Sequence, residues 1–497
     1  MNRLTPAGGL AQAGAVPAET AGYLPGGLAG LPTRALRFGR AGSTVEVLLP
    51  VLDAVRADDL ARDIRRAGEA LKVLPVETIA RAVDEAAQRL LDREHPLRIR
   101  AERLLPVVTG YDPETVRLSL TGTLKAFRLP QLRRFLAADL PDPGMLDGFR
   151  PNPRGGLARA YGPDLLLHVW AGNVPGLPLW SLARGLLAKA GSIGKASSGE
   201  PLLAGWFAQA LAEVEPRLGR ALAILCWKGG EDPAEQVFFD AADAVVAYGG
   251  NDALAAIARR LPVTTRFIGH GHKVSLGVVA REALRPGKAE RVAGLAARDI
   301  ARFEQQGCYA PQMIYVERGG PVSPRAFARH LAAELDALEG RHPRRALSLG
   351  EAAALANWRD DEQMKVLAEP GRSVVADPAL RWAVSYADAP EELRPAALNR
   401  TVTVVALDDL TALPELLRPY RALLQTAGVA AAPERLHALA GALGAVGVTR
   451  VAALGRMTVP EPGWHNDGRF NLLELLTFTE IDPAAEDEAE AHAPYAD

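Results

Sequence analysis

The feature that most constrains the fold is an alternation that begins at residue 164. Short apolar runs (DLLLHVWAG, SIGKASS, ALAILCW, ADAVVAYGG and VTTRFIG) are separated by stretches of helical spacing near 178–190, 201–215, 233–241 and 251–260. A strand buried on both faces reads as a continuous apolar run, and strand–helix alternation builds a parallel sheet covered by helices. In open sheets of this kind ligands sit beyond the carboxyl ends of the strands. The loops AGNVPG (171–176), KASSGEP (195–201) and YGGND (248–252) occupy those positions. A second alternating block starts near 311: PQMIYVE, a helix near 323–338, RWAVSYAD, TVTVVALDD, a helix near 410–427, and VTRVAALG. The fold class is therefore α/β.

Ahead of these blocks, residues 31–155 read as mainly helical, with one strand at 43–51. The clearest helical face is Ile79, Val83, Ala86 and Leu90, spaced four, three and four apart. Residues 1–30 are rich in Gly, Ala and Pro and are expected to form a mobile leader. Pro141, Pro143, Pro151 and Pro153 mark a linker. The last 18 residues hold seven acids and no Lys or Arg, so 481–497 reads as a solvated acidic tail. The length of 497 residues suggests roughly three domains.

A formal net charge of -2 leaves no broad electrostatic footprint for nucleic acid or an anionic membrane. Two cysteines exclude a disulfide framework and a cysteine-rich metal site, and favour a reduced, cytoplasmic setting. No stretch approaches the ~18 apolar residues a membrane span needs. Only eight lysines stand against 49 arginines, so a lysine in a candidate loop is conspicuous.

Four stretches carry chemistry. In FEQQGCYAPQ (303–312), Cys308 sits in a turn after Gly307 and ahead of an apolar strand. Cysteine is the side chain best suited to form a thioester once ionised. The residues alone leave open a small buried apolar role, which is what Cys226 has inside ALAILCW. In HVWAGNVPGLPLW, Asn173 ends a strand, where its amide can donate to an oxyanion or simply satisfy a turn. In SIGKASSGEP, Lys195, Ser197 and Glu200 offer partners for a ribose or its 2′-phosphate. In YGGND, Gly249 and Gly250 let backbone approach a pyrophosphate. Each is weak alone, and no G-x-G-x-x-G is found.

In order and together, these stretches resemble the LuxC-type acyl-CoA reductases, the fatty acid reductase component of bacterial luminescence, within the aldehyde dehydrogenase superfamily. AGNVPGLPLWSLARGLLAKAGSIGKASSGEP is similar to that family's cofactor-domain signature and EQQGCYAPQMIYVE to its nucleophile signature. FIGHGHKVSLGVV and GWHNDGRFNLLELL also match its style. The resemblance implies a Rossmann-type dinucleotide-binding domain over 156–295, an α/β catalytic domain over 296–430, and a segment over 431–480 packing back on the core. It implies Cys308 as nucleophile, Asn173 with the Cys308 backbone N–H as oxyanion hole, and Lys195, Gly249 and Gly250 beside NADPH. The acyl group would arrive on CoA, on an acyl carrier, or from an acyl-protein synthetase partner, and the chain would form a homo-oligomer.

Three departures matter. Acid-forming aldehyde dehydrogenases carry a water-activating glutamate in E-L-G-G-K. Here the stretch reads Gly269-His270-Gly271-His272-Lys273, with glycine at that place. A reductase needs its thioacyl enzyme spared from water, so the reading requires an ionised sulfur with no water-activating carboxylate beside it. The E-x-F-G motif is replaced by Ala397-Leu398-Asn399-Arg400, and Asn466-Asp467-Gly468 follows His465 near the end. The rivals are an aldehyde dehydrogenase using His270 or His272 as base, and a non-catalytic scaffold.

Overall fold

The computed structural model of the chain describes residues 17–40, 43–153, 155–230 and 232–494. Both alternating blocks form sheets. The first has five parallel strands in the order Arg266–His270, Ala244–Tyr248, Leu165–Val169, Gly191–Lys195, Leu222–Leu225. Leu165, Leu167 and Val169 enter one apolar cluster while Leu166 enters another. Alternating side chains therefore feed two cores, which is why the run is apolar throughout. The loops 171–176, 195–201 and 248–252 follow three neighbouring strands at their carboxyl ends.

The second sheet has seven strands in the order Ser373–Ala376, Ala383–Ala387, Thr401–Leu407, Pro311–Glu317, Val274–Val279, Leu424–Ala430, Arg450–Ala453. It is parallel except at the edge strand Ser373–Ala376. Ile314 and Val316 face one core, Met313 and Tyr315 the other. Two expectations fail here. Val274–Val279, assigned with the 156–295 block, lies at the centre of this sheet between Pro311–Glu317 and Leu424–Ala430. Hydropathy identifies a strand but not the sheet it joins. The helix expected over 410–427 is only Leu413–Leu417, because Pro419 ends it and the following run becomes Leu424–Ala430. A helix the sequence reading did not anticipate spans Leu349–Ala368.

The N-terminal helices case the first sheet. Ile79, Val83, Ala86 and Leu90 are fully buried, as their spacing predicts. Ala54–Lys72 sends Ala57, Ala61 and Ile64 onto the sheet. Its Gly68 permits the close approach, since a Cβ there would meet the Gly191 nitrogen at 2.8 Å. Val76–Leu91 and the three helices after it cover the opposite face.

The leader reading needs correction within the described residues. Ala18–Thr20 pairs with Ser43–Pro50, and Tyr23 exchanges backbone hydrogen bonds with Ile224. Residues 1–16 lie outside the described residues. At the other end, Leu472, Leu475 and Leu476 join the N-terminal core, and Thr477–Ile481 pairs with Leu157–Tyr161. Pro483–Glu490 is helical and exposed. Among the described residues no helix is long and apolar enough to cross a membrane.

Candidate active site

Cys308 sits in a loop built on strained backbone. Helix Lys288–Ala301 ends, and Phe303, Glu304 and Gln305 all adopt left-handed φ of 50°, 52° and 59°. Leu398, Asn399 and Arg400 do the same at 59°, 52° and 70°. Such angles persist only when the surroundings over-determine them. Here the two turns clamp each other. Gln305 Nε2 donates to the Pro311 and Thr401 carbonyls, its Oε1 accepts from Thr401 N–H, and Asn399 N–H donates to the Glu304 carbonyl. The Arg400 guanidinium meets Glu304 at 2.7 and 3.0 Å and Glu339 at 2.8 Å, all three side chains being buried. The E-x-F-G position is thus a structural clamp under the nucleophile loop. Gly307 is required by its neighbour rather than by its angles, because a Cβ would stand 2.5 Å from the Tyr309 ring. Ser275 Oγ donates to the Cys308 carbonyl at 2.6 Å.

The half-buried thiol opens onto a cavity of about 480 Å³ lined from both sheets. Gln425 Nε2 donates to Sγ at 3.2 Å and to Asp467 Oδ1 at 2.7 Å. Asp467 Oδ2 lies 2.9 Å from His270 Nδ1. Burial, together with the Asp467 charge, pushes the thiol up to about 11, against the pull of Gln425 and nearby backbone N–H groups. One sequence expectation is corrected by this: a carboxylate does stand near the sulfur. Burial also works against the ionised sulfur that the reading calls for. Burial alone would push that carboxyl up, but bonds from His270 and Gln425 hold it below the ordinary aspartate value. With both oxygens engaged and its basicity lowered, Asp467 is a poor base toward water.

Asn173 lies in an exposed loop and donates from Nδ2 to the Gln306 carbonyl at 2.7 Å. That bond ties the amide to the nucleophile loop and leaves its second N–H for the cavity, whose wall includes Asn173, Gly249 and Gly250. A Cβ on Gly250 would meet nothing within 4 Å, so open space lies over this loop. Arg184 is buried in the same wall, its Nε and Nη2 without a partner among the described residues.

Lys195, Ser197 and Glu200 fall outside that wall. A Cβ on Gly172 would meet Ser197 Oγ at 2.5 Å, so their loop abuts the Asn173 loop. Lys195 Nζ lies 5.7 Å from the centre of the Trp227 ring, and burial pulls its ammonium below the usual lysine range. Glu200 is buried, and its Oε1 accepts from Leu202 and Leu203 N–H, so it caps helix Leu203–Val214. The ribose contact expected of Glu200 is therefore not its visible work. Cys226 is buried, as expected. His272 is exposed, whereas the His270 side chain is 6 % exposed.

The sequence reading missed Gln425 and Arg184 and left Asp467 without a role. The available signals were a lone amide in the run LLQTAGVA and a lone charge in LPLWSLARGLL.

The fold matches solved aldehyde dehydrogenases. NADP-dependent glyceraldehyde-3-phosphate dehydrogenase from Bacillus halodurans superposes with a TM-score of 0.71 at 13% identity, over 93% of this chain and 99% of that one. The aldehyde dehydrogenase KauB from Pseudomonas aeruginosa gives 0.72 at 15%, over 93% and 96%. The long-chain acyl-protein thioester reductase of Vibrio harveyi is 24% identical over 414 residues, 82% of this chain and 83% of the relative. That of Photobacterium phosphoreum is 32% identical over 152 residues, 30% of each. The family model for acyl-CoA reductase (LuxC) matches residues 71–478. The chain belongs to the LuxC acyl-CoA reductase family.

Proposed function

We propose that the protein reduces a long-chain acyl thioester to the aldehyde, with Cys308 as covalent nucleophile and NADPH as reductant. The observation that carries this is the convergence of Cys308, Asn173, Gly249 and Gly250 on one cavity between the two sheets. Cys308 attacks the acyl carbonyl and the carrier thiol leaves. One Asn173 N–H and the backbone N–H of Cys308 hold the oxyanion. The resulting thioacyl cysteine is spared from water because Gly269 replaces a general base and Asp467 is engaged on both oxygens.

The residues present fit a nicotinamide dinucleotide. Open space over Gly250 admits a pyrophosphate, the unpartnered Nε and Nη2 of Arg184 offer donors to an anionic or carboxamide group, and Lys195 with Ser197, on the loop that abuts the Asn173 loop, would serve the ribose. When bound, NADPH supplies the hydride that reduces the acyl carbon. A positive Lys195 near the ribose favours the 2′-phosphate over a free hydroxyl. The acyl donor is CoA, an acyl carrier protein, or an acyl group passed on by a partner synthetase.

The test is Cys308→Ala with tetradecanoyl-CoA and NADPH. We expect no covalent adduct by intact mass and no NADPH oxidation. Persistence of either overturns the reading. Acid formed from aldehyde plus NADP⁺, with no aldehyde formed from acyl-CoA, would instead favour a dehydrogenase.

A further inference from the structure

Resting on that reading, the Cys308 sulfur has to carry negative charge at two moments of the cycle. The first is its attack on the acyl carbonyl. The second is release of the aldehyde, when the electron pair of the breaking carbon–sulfur bond returns to Sγ. Burial and the Asp467 charge both oppose that charge, and a thiol pushed up to about 11 leaves about one thiolate in 10⁴ at pH 7.

We infer that Gln425 is a further catalytic residue, whose side-chain N–H stabilises the Cys308 thiolate as nucleophile and as leaving group. Its Nε2 lies 3.2 Å from Sγ, 2.7 Å from Asp467 Oδ1 and 3.3 Å from Asn466 Oδ1. A carboxylate only accepts hydrogen bonds, so the amide nitrogen, not its oxygen, faces this group. One N–H goes to Asp467, and the other lies between the sulfur and the Asn466 oxygen. A bond to an anion is roughly twice as strong as one to a neutral acceptor, so ionisation of the sulfur draws that N–H to Sγ. The amide oxygen at the other end is buried and has no partner among the described residues. A side chain kept for packing alone would have no need of such an orphaned acceptor in an apolar strand.

The backbone is built to hold this aim. Where Val274–Val279 pairs with Leu424–Ala430, Val274 faces Leu424 but Leu276 faces Ala427. Ser275 therefore stands opposite both Gln425 and Thr426, and an extra residue of this kind re-aims a side chain. Ser275 Oγ accepts from the Thr426 N–H at 3.0 Å and donates to the Cys308 carbonyl at 2.6 Å, so one buried hydroxyl joins the two segments. The Gln425 carbonyl accepts from the Thr449 N–H and Oγ1 at 2.9 and 3.1 Å, and the residue is fully buried. An amide neither gains nor loses a proton near neutrality. This donor therefore serves the thiolate without activating water against the thioacyl enzyme.

The steps balance. Once the thiol proton has passed to solvent, Cys308–S⁻ plus R–CO–S–X gives Cys308–S–CO–R plus ⁻S–X, which takes a proton from water. One carbon–sulfur bond forms, one breaks, and nothing is oxidised or reduced. After hydride addition, R–CH(O⁻)–S–Cys308 gives R–CHO plus Cys308–S⁻, and only the electron pair of the carbon–sulfur bond moves.

The test uses the full chain with Gln425→Met, which keeps the length of the side chain, and Gln425→Leu as a second apolar replacement. Thermal unfolding identifies which variants fold, and alkylation by iodoacetamide at pH 8 is followed by peptide mass at Cys308. Losing a hydrogen bond to an anion lowers the thiolate fraction by about 10–100-fold. About half of that, on a logarithmic scale, returns as greater nucleophilicity of the more basic thiolate, so alkylation should slow by about 3–10-fold. Single-turnover acylation by saturating tetradecanoyl-CoA without NADPH should slow by a similar factor, with the half-saturating concentration nearly unchanged. A packing role predicts the opposite sign, because a loosened loop admits the reagent and speeds alkylation. If a folded variant alkylates as fast as wild type or faster, the inference is overturned while the Cys308 reading stands. If the wild type takes up no acyl group at Cys308, the reading itself fails and the inference falls with it.

Discussion

Replacing Arg400 by methionine should destabilise the protein in a strongly pH-dependent way. The guanidinium and its partners Glu304 and Glu339 are 2 %, 2 % and 6 % exposed, and it also donates to the His342 carbonyl at 2.9 Å. Removing it strands two carboxylates in the interior, a cost of about 3–5 kcal/mol for a buried pair that loses one member. Over 497 residues unfolding as one unit, an unfolding entropy of about 1 kcal/mol per degree turns this into a Tm loss of about 3–5 °C. Burial already pushes the Glu304 carboxyl up even with Arg400 beside it. Without the arginine the folded-state value rises further above the unfolded one. Stability is then retained where the carboxyl is protonated and lost as pH rises through the folded value. The deficit should therefore be larger at pH 8 than at pH 5.5. Differential scanning calorimetry at both values measures it. Arg418→Met, which removes a surface pair with Glu415 exposed by 62 % and 73 %, is the control and should leave the Tm close to wild type at both pH values. An Arg400→Met Tm within 1 °C of wild type at pH 8, or an equal loss at both pH values, would refute the reasoning.

Two further outcomes follow from the geometry. Asn173→Ala should lower the acylation rate by about 10²–10³ through loss of an oxyanion donor, while thermal unfolding moves by less than about 1 kcal/mol because the bond to Gln306 is exposed; stopped-flow and calorimetry separate the two. Burial would push Glu317 up, but Arg281 and Arg435 pull its carboxyl down to about 2. That difference from an ordinary glutamate amounts to about 3 kcal/mol, discounted to about 2 because both arginines are part-exposed. This stability is present above pH 4.5 and disappears as pH falls toward 2, so Glu317→Gln should flatten the acid limb of a pH–stability curve measured by urea titration.

Much of this arrangement was legible in the amino-acid order. Continuous apolar runs located the strands, and the loops after two of them held Asn173, Gly249 and Gly250 at the cavity edge. Cys308 was legible because its neighbours form a recognisable signature. What stayed hidden has one physical character. Asp467 and Gln425 reach the sulfur through tertiary contacts, on a one-turn helix and a strand that local periodicity describes only as polar exceptions. The membership of Val274–Val279 in the second sheet is likewise a choice between two apolar surfaces that its own residues satisfy equally. The helix-capping role of Glu200 was hidden for a related reason. A carboxylate after a strand suits a ligand, yet here it serves the helix that follows.

The two-way backbone exchange between Tyr23 and Ile224 has a practical consequence. Leu222–Leu225 is the outermost strand of its sheet, and this short N-terminal stretch covers part of its free rim. Gly22 is essential to the fit, at φ +94° with the Ile224 oxygen only 2.5 Å from where a Cβ would stand. A version trimmed to begin at the helices would leave amide and carbonyl groups unsatisfied along that rim, inviting other chains to pair there and lowering solubility. Expression designs should therefore keep everything from residue 17 onward and attach tags upstream of it.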